Sequence, residues 1–301
     1  MILRKTRRKA IRVKPGEIGI PRALYFFYHP GLWESFFASL GFTPVVSAPT
    51  SRRTVERAGR IAEAEHCLPV KLFQAHLHEL VEKVDRVFVP RVLSTLDGHI
   101  SCPKLAALPD VAAIEFEVEI LTVDIDQRRK SLGDTLVALA RSLGADRKTA
   151  RSIASKAVQQ TRSRPRHSSE RRPSGDRYLI LGHPYTLGDG FISGRVFGTL
   201  RKLGVNPERG ILADPKMSDS LVKWDTMSRM YHELESIEPG QYAGVIQIST
   251  FNCGCDSMLL DHFRSVAMDK RIPYMVLMFD EHTSLGGVDT RLEAFVDTIR
   301  P

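Results

Sequence analysis

The sequence predicts an α/β protein built from two parallel-sheet domains, and three observations carry that reading. Short apolar runs of strand length alternate with amphipathic stretches of helix length through both halves of the chain, the rhythm of parallel βαβ units. Hydrophobic residues make up 43% of the 301, enough for two cores. Between the halves lies a stretch rich in Arg, Ser and Pro without apolar anchors, which reads as a linker. The division expected is a basic N-terminal arm (1–16), a first α/β domain (17–125), a helical segment (126–160), the linker (161–177) and a second α/β domain (178–301).

Each element follows from local signals. Glu17 to Ile20 reads as a strand closed by Pro21. Pro30 suits the first turn of a helix that carries Leu32, Trp33, Phe36, Phe37 and Leu40 at helical spacing and stops at Gly41. Thr43 to Ser47 is the next strand, and Thr50 or Ser51 caps a helix reaching Glu63. Pro69 opens an amphipathic helix bearing Leu72, Phe73, His76, Leu80 and Val84. Arg86 to Val89 is a strand stopped by Pro90. A loop then carries Ser101-Cys102-Pro103-Lys104 and ends at Leu108-Pro109-Asp110, and the alternation in Ala112 to Val123 predicts another strand. Ser131 to Leu143 and Asp146 to Gln160 read as polar-faced helices. In the second half, strands at Tyr178 to Leu181, Gly210 to Ala213, Ala243 to Ile248 and Tyr274 to Phe279 alternate with helices. Those helices are Phe191 to Leu203, Ser218 to Ser236, Asp256 to Asp269 and Gly287 to Ile299. The order of signals is alike in the two halves, which suggests related domains.

The net charge of +8 is unevenly placed. Residues 1–14 carry +7 and residues 162–177 carry +4, which leaves about −3 on the remainder. A folded body that is not basic weighs against a nucleic-acid groove, and basic tails are ordinarily solvated arms. No apolar run approaches the ~20 residues that span a bilayer, and no apolar segment of a signal peptide stands at the N-terminus. The expectation is no membrane and a cytoplasmic location.

Four cysteines in a reducing compartment point to metal ligands or buried thiols before disulfides. Cys67 precedes the helix opened by Pro69, Cys102 precedes Pro103, and Cys253 with Cys255 stands where a strand pattern gives way to a helical one. Loops of this kind, at strand ends and helix starts, are where α/β folds place their chemistry. A helix N-terminus lowers thiolate pKa and favours an anionic group. The one close pair, Cys253-Gly254-Cys255, lacks the two- to four-residue spacer of zinc knuckles, which favours an iron-sulfur cluster. The residues alone leave three readings open: a cluster, buried free thiols, and zinc. Gly182-His183-Pro184-Tyr185 follows a strand and precedes a helix, so His183 and Tyr185 are candidates for cofactor contact, with ordinary turn chemistry as the alternative. Glu281 and His282 are candidates for proton supply beside a reduced centre. Arg291 reads as an ion-pairing helix residue, and Lys71 and Lys104 as solvated lysines.

Seven segments carry a resemblance: Ile18-Gly-Ile-Pro-Arg-Ala-Leu24, Glu65-His-Cys-Leu-Pro-Val-Lys71, Val89-Pro-Arg91, Cys102-Pro-Lys104 with Leu108-Pro-Asp110, Gly182-His-Pro-Tyr185, Phe251-Asn-Cys-Gly254 with Asp256-Ser257, and Asp280-Glu-His-Thr283 with Thr290-Arg-Leu-Glu-Ala-Phe295. Together they resemble the acyl-CoA dehydratase activase-related proteins, also called the CoA protein activase family. These are relatives of the cluster-bearing subunits of 2-hydroxyacyl-CoA dehydratases and benzoyl-CoA reductases and of the double-cubane cluster proteins. The resemblance covers about 17–110 and 178–300 in the same order. It implies two Rossmann-like domains with an oxygen-sensitive cluster, most simply 4Fe-4S, in the cleft between them. Low-potential electron transfer, or reductive or radical chemistry on a small substrate such as an acyl-CoA, would be the function. The resemblance supports Cys67, Cys102 and Cys253 as ligands. Cys255 departs from the usual pattern: as a fourth ligand it closes the cluster, and otherwise one iron stays open. Larger relatives carry an ATP-binding activator domain on the same chain. No Gly-rich phosphate loop is found here, so a separate ATP-dependent activator or reductase is the expected partner. Relatives also suggest a homodimer, and four cysteines are too few for a six-ligand double cubane on one chain. The alternative from a different class is a non-redox binding or scaffold protein with structural zinc or free thiols.

Overall fold

The computed structural model describes residues 16–163, 176–210, 212, 214 and 222–300, without the side chains of 160–163 and 285. The basic arm up to residue 15 and residues 164–175 of the linker lie outside the described residues.

The first half runs through β1 (Glu17–Ile20), α1 (Leu32–Ser39), β2 (Thr43–Val46), α2 (Arg52–Ile61), α3 (Leu68–Val81), β3 (Arg86–Phe88), β4 (Arg91–Ser94), α4 (Pro103–Glu115), β5 (Glu119–Leu121) and β6 (Asp124–Asp126). Four of its strands form a parallel sheet in the order β2-β1-β3-β5, and β4 pairs with β6 separately. Two helices follow, α5 (Leu132–Ser142) and α6 (Arg147–Ser163). α6 packs on α1, and its Ala150, Ile153, Ala154 and Ala157 join the core that holds Trp33 and Phe36.

The second half contains β7 (Arg177–Gly182), α7 (Pro184–Gly188), α8 (Gly190–Lys202), β8 (Asn206–Arg209), α9 (Asp225–Glu235), β9 (Gly244–Thr250), α10 (Gly254–Asp269), β10 (Tyr274–Phe279) and α11 (Leu285–Ile299). Its parallel sheet has the order β10-β9-β7-β8. Numbered along the chain, each sheet has the order 2-1-3-4. Two Rossmann-like domains are thus present, each with a point between its first and third strands where the direction of winding reverses. Loops at such points open into a crevice beyond the carboxyl ends of the strands. β9 is buried at all seven positions, as expected of a central strand covered on both faces.

α3 lies between the halves and is apolar on nearly every side. Val70, Phe73, Leu77 and Leu80 enter the first core, whereas Leu68, Leu72 and Ala75 enter the second. Each large side chain so buried contributes roughly 1.5–3 kcal/mol. The halves also meet at Gly188, where a Cβ would lie 2.6 Å from Phe27 Cδ1, so only glycine permits this approach.

A helix buried all round must satisfy the polar groups it carries. Gln74 of α3 donates to Glu115 Oε2 at 2.8 Å. His76 Nε2 lies 3.0 Å from Thr50 Oγ1, which donates onward to Asp189 Oδ2 at 2.5 Å. Thr50 therefore accepts from His76 Nε2–H. Burial, opposed by Glu79 and aided by Arg22 and Arg57, lowers the His76 pKa to about 4. The unfolded imidazole titrates near 6.5, so the stability due to its neutral form is complete above that pH and is lost as pH falls towards 4. The loss is on the order of 3 kcal/mol. Urea midpoints from pH 7 to pH 4 for wild type and His76→Gln measure it: the wild-type midpoint falls more steeply.

Four sequence expectations change. The segment read as a loop up to Asp110 and then as a strand from Ala112 is one helix, α4, from Pro103 to Glu115, and of the expected strand only Glu119–Leu121 is extended. Pro103 stands in the first turn and Leu105, Leu108 and Ala112 are buried on one face, so the helix persists through Pro109 and forgoes one backbone bond. The strand expected at Gly210 to Ala213 is β8, earlier in the chain. Asn206 to Arg209 pairs with Arg177 to Ile180, and Pro207 is tolerated because β8 is an edge strand. Residues 211 and 213 lie outside the described residues, as does the start of the helix expected from Ser218; α9 begins at Asp225. α10 begins at Gly254, not Asp256, with Cys253 itself as the capping residue.

Candidate metal centre

Three cysteines occupy the same structural position. Cys67, Cys102 and Cys253 are the N-cap residues of α3, α4 and α10, and Cys255 lies in the first turn of α10. Pro69 and Pro103 fix the entries of the first two helices, because proline is accommodated where no helical N–H bond is required. No disulfide joins these four cysteines; Cys67, Cys253 and Cys255 are buried and Cys102 is half-buried. First-turn amides face two of the sulfurs, Val70 towards Cys67 and Lys104 and Leu105 towards Cys102. Such amides and the helix ends behind them favour the thiolate form.

The thiols face one another. Burial, reinforced by neighbouring Cys253, pushes the Cys67 thiol up to about 12. The Cys102–Cys255 hydrogen bond pulls Cys102 below the ordinary thiol value and pushes Cys255 above it, where burial acts in the same direction. Among thiols buried to this degree, further ionisation requires a compensating positive charge.

The winding-reversal point of the second domain supplies the next groups. β7 ends at Gly182, and His183 follows as the N-cap of α7. β9 ends at Thr250, and Cys253 follows three residues later. His183 Nε2 lies 3.9 Å from Cys253 Sγ and 3.1 Å from Asp256 Oδ1. The other oxygen of Asp256 accepts from Ser249 Oγ at 2.6 Å. Burial disfavours the His183 imidazolium, but the Asp256 carboxylate and Cys253 outweigh it, so the His183 pKa lies well above the ordinary value. Tyr185 stacks on His183 with ring centroids 4.8 Å apart. Burial and then the charges of Cys253, Tyr28, Cys67 and Cys102 hold its phenol in the neutral form.

Two further sets of contacts position the loops. The segment before Cys67 is gripped from both sides: Asn252 Nδ2 donates to Ala64 O, and Lys104 Nζ donates to Glu65 O, both at 3.1 Å. Asn252 adopts φ 61°, a left-handed conformation that asparagine tolerates better than most residues. The segment before Cys102 is held by Asp225 at the start of α9. Its Oδ2 accepts from Thr95 N at 2.8 Å, from Thr95 Oγ1 at 2.7 Å and from Ser101 Oγ.

The structure thus places Cys67, Cys102, Cys253, Cys255, His183 and Tyr185 in one neighbourhood. Glu281 stands one turn of α3 away, paired with Lys71 Nζ at 2.6 Å. Burial opposes its ionisation, but Lys71 prevails and holds the carboxyl below the usual range. His282 is exposed. Lys71 is buried, contrary to its reading as a solvated lysine, and half-buried Lys104 has the loop contact described above. Arg291 is exposed and has no ion-pair partner among the described residues. Lys71→Met is expected to cost about 2–3 kcal/mol by leaving Glu281 without its counter-charge. Adding Glu281→Leu is expected to recover much of this, as read from urea midpoints. Asp256, Ser249, Asn252 and Asp225 were not singled out as site residues from the sequence, although Asp256 and Asn252 stand within the motif around Cys253.

Residues 17–208 match the family described as "CoA enzyme activase uncharacterised domain", a span that includes Cys67, Cys102, His183 and Tyr185 and stops before Cys253. The chain belongs to this family. That agrees with the resemblance carried by the sequence motifs. No curated protein matches. Among solved structures, the chain is similar to a periplasmic heme-binding protein, BhuT, in complex with two hemes. The identity is 16%, over 95% of this chain and 99% of that chain. The TM-score of 0.22 lends this likeness no weight. Among the described residues, no helix is long and apolar enough to cross a membrane.

Proposed function

We propose that this chain is a cytoplasmic iron-sulfur protein that handles low-potential electrons in an acyl-CoA dehydratase type of system. The observation that carries the reading is the convergence of four unpaired thiols on one neighbourhood at the starts of three helices. The donor set fits a cluster: sulfur ligands from separate loops, amides aimed at two of them, and a buried setting in which thiolates need a cation's charge. Cys67, Cys102 and Cys253 would hold the group, with Cys255 as the fourth donor. When bound, a 4Fe-4S cluster supplies one-electron reduction. The chain's own residues would exclude water from it and stabilise its negative charge through the helix starts. His183 would offer a hydrogen-bond donor to Cys253, and the gripped loop before Cys67 would limit access from solvent.

The family description ties the chain to CoA enzyme activases, and this supports two further parts of the proposal. A separate ATP-dependent activator or reductase would recharge the centre, and an acyl-CoA is the substrate class. A homodimer is the proposed assembly. Anaerobic reconstitution with iron and sulfide, followed by metal and sulfide analysis and electron paramagnetic resonance, tests the proposal. The expected result is a coloured chain with comparable iron and sulfide and a signal on reduction. A colourless, iron-free product would overturn it.

A further inference from the structure

Beyond the four-thiol arrangement, the structure contains a second donor set. His183 Nε2, Cys253 Sγ and Asp256 Oδ1 all lie within 4.8 Å of one another, and all three residues are buried. We propose that these residues form a site for a single divalent cation of the zinc class, and that this ion and the cluster exclude each other because both require Cys253.

Three arguments support the site. The first is geometric. Around a tetrahedral zinc ion with ordinary bond lengths, a nitrogen and an oxygen donor stand about 3.3 Å apart, and a nitrogen and a sulfur about 3.5 Å. The separations of His183 Nε2 from Asp256 Oδ1 and Cys253 Sγ are 3.1 and 3.9 Å, within tenths of an ångström of these values, and the sulfur and the oxygen lie within 4.8 Å of each other. The second is charge. One carboxylate, one thiolate and an imidazole that releases its proton as the ion binds cancel a divalent charge, the balance required where water is excluded. The third is orientation. Ser249 holds one oxygen of Asp256 and leaves the other towards His183, while stacking on Tyr185 fixes the imidazole plane. Groups that orient ligands in this way are typical of sites that hold zinc tightly.

The test uses the full chain, stripped of metal with a chelator and kept reduced and anaerobic. It is titrated with cobalt(II), whose absorption reports geometry and thiolate ligation. The expected result is one cobalt per chain with tetrahedral bands and a sulfur-to-metal charge-transfer band, all removed by zinc. His183→Gln and Asp256→Asn are each expected to weaken binding by roughly tenfold or more. Asn retains a hydrogen-bonding partner for Ser249, and circular dichroism establishes that both variants fold. Cys67→Ser and Cys102→Ser are expected to keep the cobalt spectrum. The inference is overturned by failure to bind cobalt, by unchanged affinity in both site variants, or by loss of the spectrum in the Cys67 and Cys102 variants, which would place the ion among the four thiols. Iron and sulfide measured on the same variants separate this result from the cluster proposal, which requires Cys67 and Cys102. A further expectation is that zinc bound beforehand blocks cluster reconstitution until it is chelated.

Discussion

A Cys253→Ser chain is expected to fold normally and to lose its iron almost entirely on anaerobic reconstitution. Serine is nearly the same size and is itself a good N-cap residue, so α10 keeps its start. The lost property is the soft sulfur donor at the place where the winding of the second sheet reverses. There Cys253 touches His183 and acts electrostatically on Cys67, Tyr185 and Cys255. No other cysteine takes part in both donor sets, so this substitution is also expected to abolish the cobalt spectrum. Iron and sulfide content, visible absorption and circular dichroism on one preparation decide the matter. Wild-type iron in the folded variant would remove Cys253 from the ligand set.

Asp225→Ala is expected to destabilise the chain by about 3–4 kcal/mol, because it strands several buried donors at once. Asp225 is 3% exposed. Besides the bonds to Thr95 and Ser101, its Oδ1 accepts from Thr226 N at 2.7 Å. Arg229 strengthens the same junction by donating to Thr95 Oγ1 at 2.9 Å and to Thr95 O at 2.5 Å. This junction joins the loop before Cys102 to the second half of the chain, so its loss is expected to loosen one cysteine relative to the others. The urea midpoint is expected to fall, and iron is expected to leave faster under a chelator. Asp225→Asn, which keeps an acceptor, should fall between wild type and alanine. A change within about 0.5 kcal/mol, as for an ordinary surface substitution, would show that the junction is not structural.

What could be read from the sequence was local. Pro69 marks the start of α3 and draws attention to Cys67 just before it, while the alternation of runs gives the parallel sheets. α4 is not legible: its two prolines, Pro103 and Pro109, make the segment read as a loop, although its buried neighbours hold a helix together. The contacts that complete the site were not legible, because they are non-local. Asp225 reaches residues 124 and 130 positions away, and Lys71 meets Glu281 across 210. A lysine two positions after a proline gives no sign that a carboxylate from the far end of the chain will neutralise it. Asp256 lay within a motif already singled out, yet its role depends on a histidine 73 residues earlier.

The three N-cap cysteines have a thermodynamic consequence for the chain itself. Sulfur is a weak acceptor, and none of the three closes a full cap bond on its own helix. Oxygen caps ordinarily contribute about 0.5–2 kcal/mol each. The chain therefore forgoes cohesion at three helix starts. Cys67→Ser is accordingly expected to raise the unfolding midpoint of the empty protein and to lower that of the loaded one. This reversal of sign would mark Cys67 as a position where the chain gives up stability when empty for the capacity to bind.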